Sequence, residues 1–543
     1  MAKQIIGKIR IKKVNKKGFQ FLCCIFIITI SSISFNSIAA QSLSLEKTFY
    51  TDYLRFKQLI DTNTSDVSFN IRPLPLNNSI DTVYKVNSIR KPFKLPIALL
   101  PITFSSIYNS NHPVGINQGA MIPSQSPEVY ISTGVYFKFK KWEFQFQPEF
   151  VYTNNTGFET FAHENYDPIW ASYYNWLNKI DAPEQFGTKP YVKLGFGQSK
   201  IQFHINSNFS TSLSSENLWW GPGIHNSLVL TNNAPGFLHL SFQTDKPFKT
   251  RIGSFEFQAV VGKLDNSGIA PPDTNRVFNS QRLYIPKYND GRVFSGLVLS
   301  WQPKWVPGLF FGTARAAITY QTNFKASDIL PLSDKTKYSV GSVFFRYLLK
   351  ESHADFYGEY GNNNNKNQRG YVFGILKVTE ANQHKYHFEF NAEITQLDAT
   401  KFNQIYNAES WYTSIAVTQG YTQLGKVIGA GIGPGSNSQL MDISMRKEKI
   451  KFGVTLERLV HNNDFYYNAY YPISYWKAHW IDMSALYHAS FPFKNHFYIN
   501  AAVGITRSLN YEWRIIPDID PVLPGNGYDP LNFHGNLTIV YHW

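Results

Sequence analysis

The chain has only two cysteines, and no phosphate loop, EF-hand, zinc signature or Gly-x-Ser-x-Gly nucleophile elbow. Cys23 and Cys24 are adjacent and lie inside the amino-terminal apolar segment. Removal of that segment leaves no thiol for a disulfide or a thiolate metal site. Beyond it there is no run of 18 apolar residues, so no later helix is predicted to cross a bilayer. A concentrated basic stripe is also missing. The formal charge of +14 includes seven basic residues and no acidic ones within the first 40 positions, leaving 45 basic against 38 acidic residues. That mild excess argues against nucleic acid as a partner, while an anionic polymer or lipopolysaccharide fits it.

Residues 1–40 have the order of a secretory signal. Lys3, Lys8, Arg10, Lys12, Lys13, Lys16 and Lys17 precede the apolar run 19–30, and Ser37-Ile38-Ala39-Ala40 follows with the small residues of a cleavage site. The run is too short for the ~20 residues that a spanning helix needs. Export is therefore expected, with cleavage near Ala39 or Ala40.

In 533–543, Phe533, Gly535, Leu537, Ile539, Tyr541 and Trp543 share one face, and His534, Asn536, Thr538 and His542 the other. The same alternation appears where Trp142, Phe144, Phe146 and Phe150 interleave with Glu143, Gln145, Gln147 and Glu149. Repetition of this pattern predicts strands with a lipid face and a lumen face. Because a backbone in lipid must satisfy its own hydrogen bonds, such strands have to close into a barrel. The predicted fold is all-β, a transmembrane antiparallel β-barrel of about 18 strands preceded by a small periplasmic helical element. Strands are expected near 95–108, 128–139, 142–152, 190–197, 200–207, 237–243, 251–261, 293–301, 308–318, 338–348, 353–360, 370–377, 384–396, 438–446, 450–459, 476–490, 496–508 and 533–543. The even count puts both ends in the periplasm, with short turns there and long loops outside. Residues 411–417 also resemble a strand, but a strand there breaks the parity, so they are assigned to a long outer loop.

The predicted organisation is a signal at 1–40, a periplasmic helical and linker segment at 41–92 and the barrel at 93–543. Leu45, Phe49, Tyr53, Phe56, Leu59 and Ile60 recur at helical spacing, which predicts an amphipathic helix within 41–62 packed on or in the periplasmic mouth. A second helix, 169–180, is expected inside an outer loop and carries Trp170, Tyr173, Tyr174 and Trp176.

The outer-loop segment 215–237 places Trp219 and Trp220 before the turn Gly221-Pro222-Gly223, followed by Asn226, Ser227, Asn232 and Asn233. Residue chemistry leaves two readings open. Indole faces beside amides and hydroxyls suit a sugar ring, and tryptophans in a Gly-Pro turn also suit a wedge inside a barrel lumen.

This segment resembles the outer-membrane capsule assembly protein Wzi family, whose members carry a Trp-Trp-Gly-Pro-Gly…Asn-Ser-Leu…Asn-Asn-Ala element. The resemblance extends to Gly420-Tyr421-Thr422-Gln423-Leu424-Gly425-Lys426 with Gly433-Pro434-Gly435-Ser436, to Asp355-Phe356-Tyr357-Gly358-Glu359-Tyr360, and to Asp52-Tyr53-Leu54-Arg55-Phe56 with Pro73-Leu74-Pro75. It implies an eighteen-stranded outer-membrane barrel acting as a lectin for capsular polysaccharide. On that reading Trp219, Trp220 and Tyr421 stack on sugar rings from the loops. Asn226, Asn232 and Asn233 bond hydroxyls, and Lys426 pairs with uronate or pyruvate groups. Gly221, Pro222, Gly223, Gly433, Pro434 and Gly435 shape the loops. The aromatic-rich insert 152–190 has no counterpart assigned by the resemblance.

The implied partners are capsular or extracellular polysaccharide together with outer-membrane lipid and lipopolysaccharide, with the protein a monomer. No nucleic acid, cofactor or metal is expected. An outer-membrane porin is the alternative, because barrels of this width conduct when their loops leave them open. Catalysis is not expected: His225 beside Ser227, and His163 beside Glu164, are scattered polar residues without an orienting third group.

Overall fold

The computed structural model describes residues 42–43, 48–61, 67–75 and 97–543 apart from 272, 333, 364–367, 400–409, 474–478 and 517–525. The signal segment expected at 1–40 lies outside the described residues. Eighteen antiparallel strands form one closed barrel. They are β1 (Ile97–Asn109), β2 (Glu128–Phe139), β3 (Trp142–Phe146 and Glu149–Thr153), β4 (Tyr191–Gly195 and Lys200–His204), β5 (Phe209–Ser214) and β6 (His239–Thr244 and Phe248–Thr250). Next come β7 (Gly253–Leu264), β8 (Arg292–Pro303), β9 (Leu309–Tyr320), β10 (Tyr338–Leu349), β11 (Ala354–Asn363) and β12 (Arg369–Val378). The wall finishes with β13 (His387–Gln396), β14 (Asn437–Lys447), β15 (Ile450–Val460), β16 (Ile481–Phe493), β17 (Phe497–Leu509) and β18 (Leu531–Tyr541). Closure is made by β18 on β1, where Tyr541 faces Ile102 and His534 faces Asn109.

The predicted count agrees with the structure through two errors that cancel. Segments 190–197 and 200–207 were expected as separate strands, but both parts of β4 pair with the two parts of β3, Thr153 opposite Tyr191 and Trp142 opposite Phe203. Pro148 interrupts β3, and Gly197, at φ +56, breaks β4 directly across from it. Proline has no N–H for the ladder, so a facing bulge accommodates it. The strand missing from the prediction is β5, whose inward residues Ser210, Ser212 and Ser214 give a shallow hydropathy alternation. Residues 411–417 form turns rather than a strand, as expected, but their loop folds into the lumen instead of lying outside.

Short turns and both termini of the wall lie at one end, and long loops at the other, the arrangement of bacterial barrels with the short-turn end periplasmic. Outward side chains such as Phe146, Leu194, Leu240, Phe373, Val503 and Leu537 are exposed and apolar, which gives the wall its lipid face. Inside the short-turn mouth lies α1 (Thr48–Ile60). Phe49 and Tyr50 pack on Ala98, Leu100, Tyr136, Tyr498 and Val540, whereas Tyr53, Phe56 and Leu59 pack on Leu348, Leu376 and Val378. Those two groups belong to β1, β2, β17 and β18 on one side and to β10 and β12 on the other, so the helix, about 20 Å long, bridges the mouth.

Buried arginines fasten this assembly. Arg346 of β10 donates from Nε to both oxygens of Asp355 at 3.0 and 2.9 Å, and its Nη atoms reach Ser68 O and Gln58 Oε1 at 2.8 Å each. Arg446 of β14 bonds Asp52 of α1 and Glu389 of β13, with Lys451 Nζ 3.2 Å from each of those carboxylates. Ions this deep are tolerable only when paired and hydrogen-bonded.

The two faces of β18 predict opposite outcomes. Leu537→Arg, on the lipid face near the strand centre, should cost about 2–4 kcal/mol in urea unfolding from lipid vesicles. Asn536→Arg, on the lumen face, should fall within about 1 kcal/mol of the parent.

Candidate functional site

Residues 215–238 do not arch outward from the wall; they fold into the lumen. Trp219–Trp220 pairs antiparallel with Ile71–Arg72, so the segment following α1 and the Trp-Trp element form a small two-stranded ladder inside the barrel. The Arg72 guanidinium lies 4.3 Å from the Trp219 ring centroid and donates to Gly221 O and Gly223 O at 3.1 and 2.8 Å. Arg55 of α1 donates to Pro222 O at 2.5 Å. Trp220 is fully buried, with its Nε1 donating to Gln258 of β7 at 2.8 Å. Gly221 needs to be glycine because its φ is +127 and a Cβ would lie 2.2 Å from Ser227 Oγ.

Two wall carboxylates receive this loop. Glu393 of β13 accepts from the backbone N–H of Ile224, His225 and Asn226 at 2.8, 3.0 and 2.7 Å. Glu359 of β11 accepts from Ser227 Oγ and Leu228 N at 2.8 and 3.1 Å. Tyr357 braces Glu393 at 2.9 Å. Alternate residues of the Asp355–Tyr360 element thus act together on the plug, since Asp355 holds the Arg346 guanidinium, Tyr357 holds Glu393, and Glu359 holds the loop.

A second inward loop, 411–436, completes the plug. Tyr421 is fully buried, stacked on Tyr412 at 5.7 Å and 16°, and its hydroxyl donates to Val229 O at 3.0 Å. Asn232 Nδ2 donates to Asn117 O at 3.3 Å, and Asn233 Nδ2 to Val427 O at 2.9 Å. Lys426 Nζ is capped by Gly119 O and Met121 O at 3.0 and 2.7 Å, and burial pushes its ammonium down to about 8, opposed by the Glu128 carboxylate. Gly433 and Gly435 turn the chain at φ +82 and +60, and Pro434 O accepts from Ser436 Oγ at 3.1 Å. Trp219 Nε1 and Asn226 Oδ1 have no hydrogen-bond partner among the described residues.

The expectation that Trp219, Trp220 and Tyr421 are presented from outer loops is therefore corrected. At 3 %, 0 % and 0 % exposure they have no open ring face for a sugar. Their burial follows from the width of the barrel, whose interior this many strands leave too wide for wall side chains alone. His225 and Ser227 are not paired either: His225 Nε2 meets Asn391 Oδ1 at 2.8 Å, and Ser227 bonds Glu359. Among the described residues no group of three or more His, Cys, Asp or Glu is placed to hold a metal ion.

The accessible aromatic chemistry lies above the plug. The expected helix in the 152–190 insert forms as α2 (Asp167–Leu177), opened by Pro168 and burying Ile169, Trp170, Tyr173, Tyr174 and Leu177. It packs on α3 (Asn463–Ala469), whose Asn462 cap accepts from Phe465 N at 3.2 Å. Phe161 stacks on Tyr173 at 4.1 Å and 5°, and Trp513 meets Phe465 and Trp480 edge-on at 4.7 and 5.2 Å. Outside this cluster stand Tyr166, Tyr288 and Tyr471, at 64 %, 57 % and 45 % exposure, with Trp176, Tyr284 and Tyr467 half-buried beside them. Aromatic density in the loops is the sequence signal for this surface, and helical spacing singles out only the Trp170–Trp176 part of it.

Carboxyls lie under the cap. Burial pushes Asp464 up to about 6, although Ser410 Oγ and Ala399 N donate to it at 2.5 and 2.6 Å. Glu184 is raised by burial against donors from Tyr173 and Phe161, and Glu512 by burial and then by the Glu184 and Asp482 charges. His112 is pushed down to about 4 by burial.

The family described as “Capsule assembly protein Wzi” matches residues 124–445, a span that holds both inward loops and most of the wall that receives them. No curated protein matches significantly. Among solved structures, Wzi of Escherichia coli, described as an outer membrane protein involved in group 1 capsule assembly and a carbohydrate-binding β-barrel, has a TM-score of 0.58 at 10 % identity. The match covers 94 % of this chain and 100 % of that one. OccAB2 of Acinetobacter baumannii, at TM-score 0.41 and 10 % identity, covers 82 % of this chain and 97 % of its own. OprB of Pseudomonas putida, at 0.37 and 10 %, covers 81 % and 93 %.

Trp220→Ala should lower stability by about 3–5 kcal/mol in urea unfolding, whereas Tyr471→Ala should cost less than about 1 kcal/mol. Asp464 adds a pH signature. Its folded pKa lies above the unfolded one near 4, so the folded state binds more protons between about 4 and 6 and loses stability as pH rises through that window. Asp464→Asn should remove that component, read as a flatter dependence of midpoint on pH between 4 and 6, with His112 contributing the opposite slope in both proteins.

Proposed function

Because the chain belongs to the capsule assembly protein Wzi family, we propose that it is a lectin-like protein of the bacterial outer membrane that attaches capsular or extracellular polysaccharide to the cell surface. The observation that carries this reading is the family match over 124–445, which contains both inward loops and the α2 part of the cap. The carbohydrate binding described for the Escherichia coli relative supports the ligand class.

In this proposal the outer aromatic surface meets the polymer. Tyr166, Tyr288 and Tyr471 offer ring faces to the C–H faces of sugars, and neighbouring amides such as Asn175 and Asn468 bond hydroxyls. Trp219, Trp220, Asn226, Asn232, Asn233, Tyr421 and Lys426 act from below by fixing the loops on which that surface stands. Each contact is weak, and a polymer of many repeats meeting many barrels is retained by avidity. The protein binds without turning the polymer over. One barrel is the working unit, surrounded by outer-membrane lipid and, at its long-loop end, lipopolysaccharide. The porin alternative has against it the ladder, the helix and the two inward loops that occupy the described lumen.

Cells lacking the chain should shed polysaccharide into the medium while total synthesis stays normal. A Tyr166→Ala, Tyr288→Ala, Tyr471→Ala variant should reproduce that shedding with unchanged amounts of folded barrel in the outer membrane. Retention equal to the parent in the deletion strain would contradict the function, and retention equal to the parent only in the triple variant would move the contact elsewhere on the cap.

A further inference from the structure

A run of basic residues borders part of the short-turn end. At the short-turn end between β2 and β9, Lys140, Lys141, Arg251 and Lys304 on the turns and Lys246 and Lys249 near the end of β6 are exposed, and Asp245, between the two parts of β6, is half-buried. The long loops mix the signs, with Glu159, Glu164, Asp167 and Asp529 set among Lys189, Arg282, Lys325 and Lys335. Between the β2–β3 and β4–β5 turns this basic arc contains an open pocket of about 410 Å³ lined by Lys138, Lys140, Lys141, His204, Asn206, Ser207 and the acid Asp245.

The carboxylates nearby already have cationic partners. Glu143, fully buried, lies 2.6 Å from Lys138 Nζ and 2.8 Å from His204 Nε2, and Asp245 meets His204 Nδ1 at 2.7 Å. Lys141 Nζ donates to Ile205 O at 3.0 Å from an exposed position, and Lys140 Nζ stands 5.4 Å from the Phe139 ring centroid. Immediately outside the pocket Phe139, Trp142 and Ile205 face lipid at 48 %, 44 % and 43 % exposure. Lys140 sits in the left-handed region at φ 53, as Lys385, Glu448 and Lys494 do on other short turns, a conformation that asparagine also suits.

We propose that the Lys140-Lys141 rim of this pocket binds the phosphate of an anionic phospholipid in the leaflet at the short-turn end, with the acyl chains lying on Phe139, Trp142 and Ile205 on the lipid face. Lys140 and Lys141 supply charge at headgroup level, where long cationic stems reach from an apolar wall to the interface. Their ammoniums repel the choline or ethanolamine of a zwitterionic lipid, which sets the preference. The reading is independent of polysaccharide binding.

The test offers the purified full chain equal amounts of phosphatidylglycerol and phosphatidylcholine in mixed micelles and counts retained lipids by native mass spectrometry. The comparison is Lys140→Asn with Lys141→Gln, chosen because asparagine suits the left-handed turn and keeps the hairpin. The parent should retain phosphatidylglycerol preferentially, and the preference should fall by roughly fivefold per lysine removed, with Lys494→Asn on a distant turn unchanged. Equal retention of the two lipids by the parent, or an undiminished preference in the double variant, would overturn the proposal. Full displacement of the lipid by an equal concentration of inorganic phosphate would also overturn it, because a free anion would then be the ligand.

Discussion

The width of the barrel is the constraint on which the rest depends. Lipid demands that every backbone polar group in the wall be paired, and eighteen strands satisfy this by closing on themselves. A ring of that size leaves a lumen that wall side chains cannot fill. The chain fills it with its own backbone: α1 from the short-turn end, the Ile71–Arg72 and Trp219–Trp220 ladder at mid-depth, and the two inward loops above. Polar main chain brought into a barrel must itself be satisfied. Glu359 and Glu393 do so for residues 224–228, and Arg55 and Arg72 do so for the carbonyls of 221–223. The Gly-Pro-Gly turn is the place where these carboxylates and guanidiniums approach the same few peptide units.

That constraint explains which features could be read in the sequence. The wall was legible because a lipid face and a lumen face alternate with period two, as in β3 and β18, and because turn lengths alternate too. It failed where that signal was cut, at Pro148 and Gly197, or muted, at the serine-rich β5. The site was less legible. Trp219, Trp220, Tyr421, Asn232 and Asn233 all lie in the two inward loops, and composition does not say whether an indole in a loop points to solvent or to a lumen. The deciding information is long-range: Gln258, Glu359 and Glu393 lie on strands far away in the chain, and their pairing to the loop cannot be inferred from local spacing. The accessible tyrosines stand on three separate loops, Tyr166 and Tyr288 without an adjacent aromatic and Tyr471 beside a buried Tyr470, so no local spacing joins them.

The two ends of the barrel carry different chemistry. The long-loop end is built of aromatic rings over buried carboxyls, a surface suited to uncharged or hydroxyl-rich ligands more than to attracting an acidic polymer by charge. The short-turn end between β2 and β9 holds an arc of exposed lysines set beside aromatic residues of the wall. Capping of Lys426 by Gly119 O and Met121 O withdraws into the plug the cation that the sequence had offered to the polymer.

The central claim is that this barrel is closed as a conduit and serves as an attachment surface. The most direct measurement is the ion conductance of the purified full chain in a planar lipid bilayer, beside a Glu359→Ala, Glu393→Ala variant whose inward loop has lost its wall acceptors. The account predicts no steady conductance from the parent and intermittent openings from the variant. Steady, porin-sized conductance from the parent would contradict it.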